Sequence, residues 1–136
     1  MKALYLTPLF ALVPAATAQA TNTHLEAAMA VHRAWLSTLQ EITAVMNNVK
    51  DKETADAAAP KIHELAERLQ LLQKEAAGFA PPSAAEEAAY RAAINTAEIK
   101  KTVDAFMQAI ITSAQAQTYG SAELSKALEN LLGRGL

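Results

Sequence analysis

LEAAMAVHRAWLSTLQEITAVMNNV, residues 25–49, decides the fold. Leu25, Ala28, His32, Trp35, Leu39, Ile42, Met46 and Val49 follow the alternating three-and-four spacing that aligns one face of an α-helix. Met29, Val31, Leu36 and Val45 widen that seam on both sides. A stripe this wide calls for two packing neighbours, so this helix is expected at the centre of a bundle. Upstream, Thr23-x-x-Glu26 has the pattern of a capping box and places the start of the helix there.

Downstream, Asn47 to Asp51 is polar and poor in seam residues, and it reads as a turn with Asp51 or Thr54 capping a second helix. AAPKIHELAERLQLL, residues 58–72, then repeats the helical spacing through Ala58, Ile62, Leu65, Leu69 and Leu72. Its other side carries charges, including a Glu64 to Arg68 pair one turn apart. Pro60 lies inside the pattern, so the helix either kinks or begins there. The short turn makes these two helices an antiparallel hairpin.

Gly78-Phe79-Ala80-Pro81-Pro82 ends the second helix, and Ser83-x-x-Glu86 opens a third helical run extending to about Tyr119. Tyr90, Ile94 and Ala97 share one side of that run, whereas Ile99, Val103, Phe106, Ile110 and Ala114 share nearly the opposite side. A break at Asn95 explains the switch, as does an unbroken helix with different neighbours at its two ends; the unbroken helix is the expectation. Ser121 caps a short last helix with Leu124, Leu128, Leu131 and Leu132 on one side and Gly133 at its end. No stretch alternates like a strand. The expected fold is therefore all-α, a three- to four-helix bundle made of the hairpin, a long third helix and a short fourth. The four-leucine face has to dock inward or on a partner, and its ordinary core spacing favours inward docking.

The first twenty residues read differently. Met1-Lys2 is a basic start, Ala3 to Ala16 is apolar with Pro8 and Pro14 within it, and Ala18-Gln19-Ala20 is a small-x-small cleavage site. These are the three regions of a secretory signal peptide, and the apolar part is shorter than the roughly 20 residues a membrane span needs. Residues 1–20 are expected to be removed and residues 21–136 to form one bundle domain in the periplasm or outside the cell, with no stable membrane anchor. Removing 20 of 136 residues leaves 116 and, through loss of Lys2, shifts the formal charge from −2 to −3.

The chemistry of the remaining chain is sparse. With no cysteine there is no thiolate, disulfide or covalent haem attachment. A Glu-x-x-His metal pair is absent, because Thr21, Met29 and Pro60 stand three residues before His24, His32 and His63. No two histidines stand three to five apart, as a zinc site on one helix requires. Serines and threonines sit at caps and turns, and there is neither a nucleophile elbow nor a phosphate-binding glycine loop. Interleaved charges leave no basic stripe for nucleic acid. A non-enzymatic protein without a cofactor is expected, one that binds a protein partner or another copy of itself. His32 on the first seam, Met46, the outlying Leu71 and the terminal Leu124, Leu128 and Leu131 are its candidate ligand or interaction residues. The alternative is a small-ligand or haem binder in which His32 and a methionine such as Met46 or Met107 hold the iron. Methionines at helical spacing are otherwise expected in the core.

The segment Val49-Lys50-Asp51-Lys52-Glu53-Thr54-Ala55-Asp56-Ala57-Ala58-Ala59-Pro60-Lys61-Ile62 resembles a pattern in small exported helical-bundle proteins of Gram-negative bacteria, a resemblance that implies no activity. The plan of a signal peptide, a short helical chain and a central Pro81-Pro82 link is also similar to cytochrome b562. That family takes a histidine from its last helix, where this chain has none after His63. Export is directly measurable: the intact mass of protein from the native host is expected to correspond to a chain beginning at Thr21, or at Gln19 if Ala16-Thr17-Ala18 is the site cut. A periplasmic species beginning at Met1 would refute it.

Overall fold

The computed structural model describes residues 2–134, with side chains from 24 to 133. Helix α1 spans Lys2–Asn47, α2 Lys52–Ala77, α3 Ala84–Ala93, α4 Thr96–Gln115 and α5 Ala122–Arg134, with a tight turn at Gln117–Gly120 between the last two. No strand occurs among the described residues. The chain is an all-α helical bundle. It divides into two units, Met1–Ala30 with Ala80–Ile94, and Val31–Phe79 with Asn95–Leu136.

In the larger unit one core gathers residues from four helices. Leu39, Ile42 and Met46 come from α1, Ile62, Leu65 and Leu69 from α2, Phe106 and Ile110 from α4, and Leu124, Leu128 and Leu131 from α5. Both hairpin seams thus face inward as their spacing requires, and Val49 closes the core at the turn. On α2, Ala55, Ala58, Ala59 and Ala66 are buried beside the large residues, and alanine at these positions lets a neighbouring helix approach closely.

Local chemistry sets the helix boundaries. Asp51 caps α2 by accepting the Thr54 N–H at 2.8 Å, while Thr54 Oγ1 accepts the Asp51 N–H at 3.1 Å. This box starts the helix upstream of Pro60, which sits inside α2 with its ring exposed and its missing donor tolerated on the solvent side. Ser83 and Glu86 form the second box, with bonds of 3.2 and 2.7 Å. The Thr23 box does not start a helix in the whole chain, since α1 runs through it and the preceding turn supplies carbonyl acceptors for its N–H groups.

The third helical run is broken, contrary to expectation. Ile94 is extended, and the Asn95 side chain accepts the N–H groups of Ala97 and Glu98, each at 3.1 Å. Asparagine competes for backbone donors, and here that competition wins over helix continuation. The phase switch in the apolar residues marks this break. On its far side Phe106, Ala109 and Ile110 are buried, while α3 buries no residue fully.

The leucine face of α5 docks inward on α2. Leu124, Leu128 and Leu131 are buried together with Ala127, whereas Leu132 is 45% exposed and lies outside the face. Gly133 does not end the helix, which continues to Arg134.

Leu39 and Leu65 are fully buried and Leu71 is 64% exposed. Leu39→Ala or Leu65→Ala is expected to cost about 2–5 kcal/mol in a denaturant melt through lost burial and a cavity. Leu71→Ala is expected to stay within about 0.5 kcal/mol. The reverse order would show the faces of α2 to be misassigned.

Candidate functional site

The residues singled out from the sequence do not converge. His32 is half-buried on α1, and Met46 is buried further along the same helix. Fourteen residues at 1.5 Å each separate them by about 21 Å, so they cannot meet across one iron atom. Helical geometry therefore removes the His32–Met46 haem pair. Met107, the other methionine considered, is 42% exposed on α4 rather than in the core. Leu124, Leu128 and Leu131 are core residues, and no partner reaches them while α5 is docked. Of the six candidates, Leu71 alone is fully on the surface.

Most ionisable side chains at the surface hold helices or helix ends. Arg68 binds Glu41 of α1 at 2.8 Å and Glu64 of its own helix at 3.7 Å, which fastens the hairpin and realises the pair anticipated from spacing. Lys61–Glu64, Arg91–Glu87 and Lys100–Asp104 are further pairs one turn apart. In the smaller unit His24 Nδ1 lies 3.4 Å from Glu86 Oε1, while Glu86 also caps the Ser83 N–H. That backbone bond first, with help from Ser83 and His24 side chains, holds the Glu86 carboxyl below the usual carboxylate range. No group of three or more His, Asp or Glu side chains could hold a metal ion among the described residues.

Two surface features were not foreseen. The first is an apolar row on the outer side of α4: Met107 and Ile111 stand one turn apart and are 42% and 44% exposed. Val103 lies one turn earlier and packs partly against the core, so the row rises from the core edge into solvent. Its spacing was legible, but core and outer rows on α4 are both apolar, and spacing alone does not tell which one faces in.

The second is a polar clip at the start of α5. Ser121 Oγ accepts the Leu124 N–H at 3.0 Å, as an N-cap should, and also donates to Asp56 Oδ1 of α2. Lys52 Nζ donates to Asp56 Oδ2 at 2.7 Å. Ser121 is buried, so its hydroxyl needs this acceptor. A contact across 65 residues leaves no local trace, and only the capping half of Ser121's role was readable. Another hydroxyl, Ser113 Oγ on α4, is buried without a hydrogen-bond partner.

No helix among the described residues is long and apolar enough to cross a membrane. Comparison of the chain with protein-family models, with curated proteins and with solved structures gives no match.

The Asp56 clip is sensitive to pH. The Lys52 hydrogen bond first, and then the Ser121 hydroxyl, hold the Asp56 carboxyl below its ordinary value. A carboxylate depressed in the folded state stabilises the fold above its unfolded value of about 3.9 and loses that contribution as pH falls through the folded value. Asp56→Asn is therefore expected to lower the melting temperature at pH 6 and to narrow its gap to the unaltered protein as pH drops below about 4. A gap that stayed constant from about pH 7 to 2 would show the charge on Asp56 to be irrelevant.

Proposed function

We propose that this chain is an exported, non-enzymatic helical bundle of the periplasm or extracellular space that works by holding a protein partner against its surface. The observation that carries this reading is the Met107–Ile111 row. Two large apolar side chains, each more than two-fifths exposed and one turn apart, sit on a helix whose opposite side is already spent on the core. Isolated exposed apolar residues are ordinary, but an aligned pair on one ridge is the form in which helical surfaces present anchors to a groove or another helix. Methionine suits such a role because its unbranched, polarisable side chain adapts to the surface it meets. Flanking Lys100, Lys101, Asp104 and Gln108 supply the polar rim common at protein interfaces.

The signal-peptide pattern favours a place outside the cytoplasm for this surface, and the inward docking of α5 leaves α4 rather than the terminal leucines as the contact element. A photo-crosslinking residue at Ile111, in the protein made by its native host, is expected to give discrete protein adducts that the same probe at Lys101 does not. Met107→Asp should abolish them while changing stability by no more than about 0.5 kcal/mol. Equal adduct patterns from both positions would overturn the assignment of this face.

A further inference from the structure

Gln117, Thr118, Tyr119 and Gly120 turn the chain from α4 into α5 with φ values of 50°, 51°, 55° and 75°. Only the last is a glycine. Each of the other three carries a Cβ in a left-handed conformation, disfavoured roughly tenfold against the right-handed one. Local hydrogen bonds hold the turn only in part: the Tyr119 N–H donates to Ala116 O and the Ser121 N–H to Thr118 O, each at 3.0 Å, and the Thr118 hydroxyl donates to the Gln117 and Ser121 carbonyls. The rest comes from further away: the leucine face of α5 on α2, the Ser121 hydroxyl on Asp56, and Tyr119 packed against the core.

If the four residues relax to ordinary helix, α4 and α5 join into one rod and α5 leaves α2. Both the apolar side of α2 and the leucine face of α5 are then exposed. The surface that covers each must present buried leucines at Leu124, Leu128 and Leu131 in register with a hydroxyl reaching Asp56, and a second copy of this chain supplies that set. We propose that α5 is an exchangeable element, and that two copies trade it to form a two-fold dimer in which each α2 is covered by the partner's α5. The contacts of α5 with α2 are kept, those of the turn itself, Tyr119 against the core among them, are given up, and the two strained turns are relieved. The exchange is independent of the α4 surface, since the dimer needs neither Met107 nor Ile111.

Gly120 provides a clean lever. A Cβ at this position would meet nothing within 4 Å, so alanine there changes only the backbone preference. It penalises the left-handed turn and favours the continuous helix. With one hinge from each chain and about tenfold from each, Gly120→Ala is expected to tighten dimerisation about a hundredfold. Gln117→Gly, at an exposed position, relieves the closed turn and should weaken dimerisation by a similar factor.

Light scattering across a concentration series, after unfolding and refolding at high concentration so that α5 is released, reads both effects. Because the chain has no cysteine, exchange itself can be trapped. Asp56→Cys and Ser121→Cys chains, refolded together and oxidised, should form a disulfide between chains, whereas Asp56→Cys paired with the exposed Glu123→Cys should not. Melting curves establish that each cysteine variant folds; if one does not, the Gly120→Ala and Gln117→Gly pair decides alone. A Gly120→Ala protein that melts lower but stays monomeric would overturn the proposal, as would one that dimerises without the 56–121 link.

Discussion

The apolar side of α2 has to be covered twice over, once by α1 and once by α5, and the larger unit is built around that requirement. Ile62, Leu65 and Leu69 supply bulk, while Ala55, Ala58, Ala59 and Ala66 let the neighbouring helices come close. An apolar stripe this long is unstable in water unless neighbouring helices cover its whole width. The hairpin with α1 covers part of it through its short turn. The rest is covered by α5, the last described helix, which makes the middle of the sequence dependent on a segment far from it.

That dependence explains the strained link between α4 and α5. A relaxed turn would leave the leucine face of α5 pointing elsewhere, and burying three leucines outweighs three unfavourable backbone conformations, at roughly 1.5–3 kcal/mol for each leucine against 1–2 for each turn residue. The Ser121–Asp56 bond then fixes where α5 begins on α2. Strain at the link and burial beyond it are two sides of one balance, and that balance gives a small bundle an element that can be held by its own chain or by another.

The smaller unit obeys different rules. Helix α3 buries no residue fully and is defined by its caps, the Ser83–Glu86 box at one end and the extended Ile94 before Asn95 at the other. His24 reaches Glu86 and thereby the cap itself. Short, alanine-rich and bounded by capping residues, α3 owes its shape to local hydrogen bonds more than to packing.

Much of this was legible in the residues because it is local. Helical spacing identified the seams of α1 and α2, and a cap at Asp51 or Thr54, the box at Ser83, the cap at Ser121 and the Glu64–Arg68 pair followed from side chains a few residues apart. The break at Asn95 was visible as a change of phase, but an unbroken helix accounts for the same phase, and only the side-chain cap on Ala97 and Glu98 separates the two. The exposure of Met107 and Ile111, the exchange of Leu132 for Ala127 in the docked face and the left-handed turn at 117–120 had no such signature. Each results from several apolar faces competing for the same covered surface, and from contacts such as Asp56 with Ser121 that join residues far apart in the chain. Periodicity and capping determine which segments are helical and which sides are apolar, since both act within a few residues. Which of those sides is buried, against what and at what backbone cost, is decided only when the helices meet, because the energy of covering a face belongs to the pair of surfaces and not to either one.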